Sequence, residues 1–142
     1  MIFCDTSFAA KLYVPEAETP AVVSLLEGED EVCASELMRV ELMGVFHRRL
    51  REKIWSKADF NAAVRQFSRD DIAGLWSWRP LDRPVLEAAA KCYATLPETV
   101  FLRSADCLHI LTALHNRFPA IHTFDRQQAK AAPALGIKAV GV

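Results

Sequence analysis

Short apolar segments that alternate with helical patterns constrain the fold of this chain more than any other feature. The segments at residues 2–4, 31–34, 120–124 and 137–140 are short and largely continuous in hydrophobic residues, as strands are when both faces of a sheet are covered. Strands that alternate with helices predict an α/β domain around a parallel sheet. We therefore expect a three-layer α/β/α sandwich with a short parallel sheet.

Helix start and stop signals divide the rest of the chain. Ser35, Ser56 and Ser104 are predicted N-caps, and Gly136 is expected to end the last helix. The helix that begins at Ser56 follows its predecessor with no strand between, so we expect the two to form a helical arm. No repeat or long linker divides the chain, and we expect one domain over residues 1–142. The predicted helices span residues 7–14, 19–26, 35–53, 56–74, 84–96, 104–116 and 125–135, and residues 75–81 form a strand or turn.

Composition and charge exclude several classes of protein. The 142 residues are 51% hydrophobic and 25% charged, which is typical of a globular rather than a disordered chain. The net charge of -1 supplies no overall attraction to nucleic acid, so such a partner would need local patches or a metal ion. We find no signal-peptide pattern and no apolar run near the roughly 20 residues of a membrane span. We therefore expect a cytoplasmic protein without membrane association.

The cysteines and glycines form none of the common catalytic or metal-binding motifs. No C-x-x-C pair occurs, so we expect reduced thiols that pack as small hydrophobic residues. No glycine-rich phosphate loop and no G-x-S-x-G nucleophile motif can be formed. The cysteines are Cys4, Cys33, Cys92 and Cys107, and the tryptophans expected in the core or an interface are Trp55, Trp76 and Trp78.

Four carboxylates stand where acidic residues are not expected. Glu41 and Asp106 each lie on the apolar side of a predicted helix, as the spacing of their neighbours three and four residues away indicates. Asp5 and Asp125 each follow an apolar strand. Buried or half-buried acids are costly unless a positive group lies among them.

Ordinary structural explanations exist for each acid. Glu41 could pair with Arg39 or Arg48, and Asp106 could be stabilised by the dipole at a helix N-terminus. The two acids that follow strands could be N-caps. These explanations stay open at the level of each single residue.

The position of the acids favours a shared site. In open parallel sheets, functional groups gather beyond the carboxyl ends of the strands, and the following helices could bring Glu41 and Asp106 to the same edge. Four acids there would repel one another, and a hard divalent cation such as Mg²⁺ or Mn²⁺ would relieve that repulsion. Such an ion also activates water and stabilises charge on a phosphoryl group. The pattern therefore predicts a metal site that suits hydrolysis, at which an anionic phosphodiester could be bound through the ion.

Several motifs, taken in order, resemble one family. They lie at residues 2–7, 35–41, 102–109 and 123–126, with a closing strand entry at 135–137. In this order and at these separations the chain is similar to a PIN-domain ribonuclease, and specifically to the VapC-type toxin of a toxin–antitoxin pair. The resemblance covers nearly the whole chain and implies a parallel sheet between helices, with the acids at one end.

The resemblance also implies roles for the acids. Asp5 and Asp106 would be the direct metal ligands, Glu41 would bind a second ion or orient the water, and Asp125 would act directly or through water. The implied cofactor is Mg²⁺, with Mn²⁺ as the other candidate.

Hydroxyl groups and partner proteins are implied in the same way. Thr6 or Ser7 would offer a hydroxyl to the site, and Thr123 could brace Asp125, although hydroxyls beside a helix start are ordinarily caps. The family further implies a homodimer and a separate antitoxin that blocks the cleft.

Basic and histidine side chains supply further candidates. Arg103 and Arg126 flank acids and could hold RNA phosphates or form ion pairs, and His109 lies one helical turn beyond Asp106, where it could line the cleft or be buried. A basic run at a helix end fits either the helix dipole or RNA phosphates. It consists of Arg48, Arg49, Arg51 and Lys53.

Two alternative functions stay open beside the toxin. The chain could be a housekeeping RNA-processing PIN nuclease, or a catalytically silent module that only binds a partner. The identity of the RNA and the number of metal ions cannot be read from residue spacing.

Overall fold

Five parallel strands form the centre of the protein. The computed structural model describes residues 1–141. The strand order in the sheet is β3-β2-β1-β4-β5, and each neighbouring pair is parallel. The α/β prediction is confirmed, and the segment left open as a strand or turn is a strand. The strands are Ile2–Cys4 (β1), Val32–Ser35 (β2), Trp76–Arg79 (β3), Ala120–His122 (β4) and Lys138–Val140 (β5).

Within residues 1–141, seven α-helices connect these strands. The predicted helix at 125–135 divides into an α-helix and a short 3-10 helix, Ala132–Leu135, because Pro133 has no N–H to continue the α-helical pattern. Gly136 ends that segment with a φ of 85°, as expected. The α-helices are Thr6–Tyr13 (α1), Thr19–Glu27 (α2), Leu37–Arg51 (α3), Lys57–Ile72 (α4), Arg83–Thr95 (α5), Ser104–His115 (α6) and Arg126–Ala131 (α7).

Two of the three serines predicted as N-caps are not caps. Ser56 does cap α4, in a capping box with Asp59. Ser35 is instead the last residue of β2, and its hydroxyl accepts the Leu37 N–H at 3.3 Å. Ser104 is the first residue of α6, with Arg103 at the cap position. The strand extends one residue further than predicted because Ser35 pairs with Arg79 of β3.

Side chains alternate along the strands between two separate cores. Ile2 and Cys4 of β1 belong to one core, which packs against the helices α1 to α4. Phe3, between them, belongs to the other core, which includes residues of α5, α6 and α7. Both faces of the sheet are therefore covered by helices, which confirms the three-layer α/β/α sandwich.

The predicted helical arm packs against the rest of the first core. Phe67 of α4 meets the ring of Tyr13 with centroids 5.6 Å apart, and Phe46 of α3 meets the same ring at 5.7 Å. Trp76 is buried and donates its indole N–H to the Tyr13 hydroxyl at 3.0 Å. Helices α3 and α4 therefore pair as expected, and aromatic contacts hold them on α1 and β3.

The order of the strands places a crevice beside β1. The chain runs from β1 outward to β2 and β3, and later returns to the other side of β1 to add β4 and β5. Such a change of direction opens a crevice at the carboxyl ends of the two central strands. The Asp5 N–H donates to the His122 carbonyl at 3.1 Å, so the residues that follow β1 and β4 are held side by side.

The four cysteines are free thiols, and all but the partly buried Cys92 lie in the interior. In the described part of the chain, no helix is both long enough and apolar enough to cross a membrane.

Candidate functional site

A cavity of about 570 Å³ opens at the carboxyl ends of β1 and β4. Helices α1, α3 and α6 form its walls, and the start of α7 lies at its edge. The four carboxylates that sequence reasoning selected all line it; they are Asp5, Glu41, Asp106 and Asp125. Folding thus brings together acids that are up to 120 residues apart in the sequence.

Asp5 is the most enclosed of the four acids. Its side chain is 3% exposed, and its Oδ1 accepts the Phe8 N–H at 2.9 Å, so it caps α1 as well as lining the cavity. Ser7 and Thr123 donate their hydroxyls to it at 2.8 and 2.6 Å. Burial raises the pKa of Asp5, against the opposing effects of His109 and these hydrogen bonds. Among residues 1–141, no basic side chain forms an ion pair with it.

Ser7 and Thr123 hold the two acids that follow strands in fixed positions. The Thr123 hydroxyl, which donates to Asp5, also accepts the Asp125 N–H at 3.0 Å. The Ser7 hydroxyl accepts the Phe124 N–H at 2.8 Å. Thr123 therefore bridges Asp5 and the backbone of Asp125, and Ser7 ties α1 to the segment after β4.

Glu41 is held by two polar side chains. The Thr6 hydroxyl donates to Glu41 Oε2, and His109 Nε2 lies 2.7 Å from the same oxygen. Burial acts to raise the pKa of Glu41, but the hydrogen bond and charge of His109, with Thr6 and Arg103, outweigh it, so this pKa is lowered. The alternative of an ion pair with Arg39 is wrong, because Arg39 pairs with Asp71 at 2.5 Å.

His109 therefore belongs to the site and not only to the core. Its side chain is 2% exposed, and it contacts both Glu41 and Thr6. Its Nδ1 is buried without a hydrogen-bond partner within residues 1–141. The signal in the sequence was its position one helical turn after Asp106, but spacing alone did not identify Glu41 as its partner.

Arg103 joins the remaining two acids. Its Nε donates to Asp106 Oδ2 at 2.8 Å, and its Nη2 donates to Asp106 Oδ1 at 3.3 Å and to Asp125. Asp125 also caps α7 by accepting the Gln127 and Gln128 N–H groups at 2.8 and 3.0 Å. Burial acts to raise the pKa of Asp125, but these bonds and Arg103 lower it below its ordinary value.

The basic side chains of the sequence divide into two groups. Arg103 lies in the site as an ion-pair partner, whereas Arg126 is exposed and is not among the residues that line the cavity. Lys11, which sequence reasoning did not select, lines the cavity together with Arg48 and Arg49. The outer wall of the cavity is therefore basic, while its floor is acidic.

The donor atoms of the site suit a hard divalent ion, but they are not preassembled around one point. No three His, Cys, Asp or Glu side chains of residues 1–141 lie close enough together to hold a single ion. The oxygens of Asp5 nevertheless face only hydroxyl and amide groups, and a buried carboxylate without a counter-ion favours a cation nearby. Part of the gap between the acids is filled by the guanidinium of Arg103.

Comparison with known proteins agrees with this architecture. The PIN domain family matches residues 2–133. VapC20 of Mycobacterium tuberculosis, a sarcin-ricin loop cleaving toxin, superposes with a TM-score of 0.71 at 18% identity, over 92% of this chain and 95% of that one. FitAcB of Neisseria gonorrhoeae superposes with a TM-score of 0.75 at 20% identity, over 98% of this chain and 96% of that one. A toxin–antitoxin complex of Klebsiella pneumoniae superposes with a TM-score of 0.65 at 14% identity, over 99% of this chain and 96% of that one. No curated protein matches significantly.

Proposed function

This chain belongs to the PIN domain family, as its motifs predicted, and we propose that it is a metal-dependent endoribonuclease that acts as the toxin of a toxin–antitoxin pair. The observation that carries the proposal is the set of four acids lining one cavity at the strand ends. The fold shared with VapC20, a sarcin-ricin loop cleaving toxin, supports the same class of reaction. We propose that residues 1–142 act as one catalytic domain.

Asp5 and Asp106 are the proposed direct ligands of the metal ion, and Asp125 would complete the site directly or through water. PIN domains generally use divalent metals, and Mg²⁺ is the proposed ion, with Mn²⁺ as its substitute. When bound, such an ion supplies an activated water and stabilises charge on the attacked phosphate. Thr123 and Ser7 contribute by fixing Asp5, so that its oxygens do not need to reorganise.

Glu41 is the group best placed to orient the attacking water. Thr6 and His109 both bond its Oε2, which leaves Oε1 for another partner. A carboxylate with a lowered pKa stays ionised at neutral pH and can accept a proton or a hydrogen bond from water. His109 is then a positioning residue, since it acts through Glu41.

The substrate would lie along the basic outer wall. Lys11, Arg48 and Arg49 line the cavity, and such side chains position a phosphate backbone without reading its sequence. Arg49 and Lys11 also pair with Glu16, so Arg48 is the most available of the three. The wall accounts for RNA binding by a chain with a net charge of -1.

An antitoxin and a second copy of the chain are the proposed protein partners. One structural relative is a toxin–antitoxin complex, which supports the first. Large hydrophobic side chains on the surface, among them Val40 at 72% and Phe101 at 62% exposure, supply apolar area for such contacts. The proposed location is the cytoplasm, because the proposed substrate is RNA.

The deciding experiment is RNA cleavage by the purified protein with Mg²⁺ or Mn²⁺. The Asp5→Asn and Asp106→Asn variants, and EDTA, should each abolish cleavage. Asp82→Asn is the matched control, because Asp82 caps α5 as Asp5 caps α1 but does not line the cavity; it should cleave normally. Cleavage that survives both substitutions would show that the assigned site is wrong. A folded protein that cuts no RNA with either metal would favour the silent binding module.

A further inference from the structure

Arg103 occupies the place between two acids where a cation is needed. It stands at the cap position of α6, with an extended backbone at φ -77° and ψ 154°. Its guanidinium spans Asp106 and Asp125 and forms an ion pair with each. We infer that Arg103 is a built-in counter-cation that competes with the divalent ion and must leave Asp106 when the ion binds. This inference rests on the proposed function.

The geometry at Asp106 makes simultaneous binding unfavourable. Both of its carboxylate oxygens accept from Arg103, at 2.8 Å from Nε and 3.3 Å from Nη2. Direct ligation would place Mg²⁺ at about 2.1 Å from one of the same oxygens. Two cations would then share one carboxylate at a separation where they repel each other. The guanidinium therefore opposes direct ligation by Asp106 for as long as it holds both oxygens.

The exposure of the Arg103 side chain and its position before α6 allow the guanidinium to leave Asp106. Its side chain is 51% exposed, whereas that of Asp106 is 10% exposed. Because Arg103 precedes the helix, its side chain can rotate into solvent without breaking a turn of α6. The guanidinium holds two of the four acids, Asp106 and Asp125.

A purely structural role predicts a different behaviour. If Arg103 only ties the start of α6 to the segment before α7, its loss should weaken the fold and leave metal affinity unchanged or lower. If it competes, its loss should increase metal affinity. The sign of the change in affinity therefore separates the two roles.

The test measures Mn²⁺ binding to the whole protein without RNA, by the loss of the free-ion EPR signal. Two partly exposed ion pairs correspond to roughly a two- to thirty-fold factor in an equilibrium, so Arg103→Gln should bind Mn²⁺ more tightly by a factor in that range. Arg103→Lys keeps the charge but loses the planar fork of the guanidinium. Its affinity for Mn²⁺ should lie between those of the wild type and Arg103→Gln. Arg48→Gln is the matched control for general charge, because Arg48 also lines the cavity but forms no ion pair within residues 1–141. Its effect on Mn²⁺ affinity should be much smaller.

A second measurement follows Arg103 itself. The Nε–H signal of Arg103 is identified as the one that is absent from the NMR spectrum of Arg103→Gln. When the wild-type protein is titrated with Mg²⁺, this signal should shift as its bond to Asp106 is lost. Equal Mn²⁺ affinity of wild type and Arg103→Gln, with an unmoved Nε–H signal, would overturn the inference and leave the nuclease proposal standing. If neither protein binds Mn²⁺ at all, the metal site fails and the inference fails with it. Tight binding to Arg103→Gln and weak binding to wild type would support it most strongly.

Discussion

Replacing Asp5 by asparagine should stabilise the metal-free protein while abolishing its activity. Because burial raises the pKa of Asp5, the folded state favours the neutral form of this side chain more than the unfolded state does. The amide of asparagine has nearly the same shape and carries no charge. The substitution therefore removes the cost of a buried anion that has no ion-pair partner in residues 1–141.

The hydrogen bonds around Asp5 can adapt to the change. The amide oxygen can keep the Phe8 N–H, and the amide nitrogen would face the Thr123 hydroxyl. That hydroxyl can donate instead to Gln128 Oε1, which lies 3.1 Å away. Burying a carboxylate costs several kcal/mol, and losing two charge-assisted bonds offsets about 1.5 kcal/mol each, which leaves a net stabilisation of about 1–2 kcal/mol. For a chain of this size that raises Tm by roughly 3–6 °C.

The assay is thermal and urea unfolding in EDTA at pH 7 and pH 5. An acid with a raised folded-state pKa contributes stability that is present at low pH and is lost as pH rises through that pKa. The advantage of Asp5→Asn should therefore be largest at pH 7 and smaller at pH 5. Mn²⁺ should then stabilise the wild type more than the variant. An Asp5→Asn variant that is less stable than wild type in EDTA at pH 7 would refute the reasoning. Asp82→Asn is the control, because it makes the same change at an ordinary N-cap.

Two further predictions follow from single residues. His109→Ala should lower the single-turnover rate of RNA cleavage by about 10- to 100-fold, as loss of a supporting hydrogen bond to a site carboxylate does. His47→Ala, at an exposed position of α3, should leave the rate unchanged, and equal rates for the two variants would contradict the role of His109. Gly136→Ala should reduce the free energy of unfolding by about 1–2 kcal/mol in urea, because the backbone there has a φ of 85°. Unchanged stability would mean that the turn relaxes to another conformation.

The sequence predicted the parts of the fold that depend on local pattern. Continuous apolar runs identified β1 and β4, and the glycine signal identified the turn at Gly136. The N-caps at Ser35 and Ser104 were wrong because tertiary contacts outweighed local preference. Ser35 is drawn into β2 by its pairing with Arg79, and that pairing depends on a strand 41 to 44 residues further along the chain.

The partners of the site residues could not be read from the sequence in the same way. The spacing of apolar residues placed Glu41 and Asp106 on the apolar faces of their helices. It did not show which polar groups would contact these two acids. His109 meets Glu41 across 68 residues, and Arg103 meets Asp125 across 22. Such pairs depend on how α3, α6 and the segment after β4 approach one another, which only the packed sheet determines.

Capping and site roles are not alternatives for the two acids that follow strands. Asp5 uses Oδ1 to cap α1 and receives the Thr123 hydroxyl on Oδ2. Asp125 likewise caps α7 with Oδ1 and meets Arg103 with Oδ2. In each case one oxygen fixes the side chain to a helix N-terminus, whose dipole favours a negative charge, and the other bonds another side chain of the site. The cap is thus what holds the acid in place, so an N-cap pattern directly after a buried strand should be weighed as support for a site.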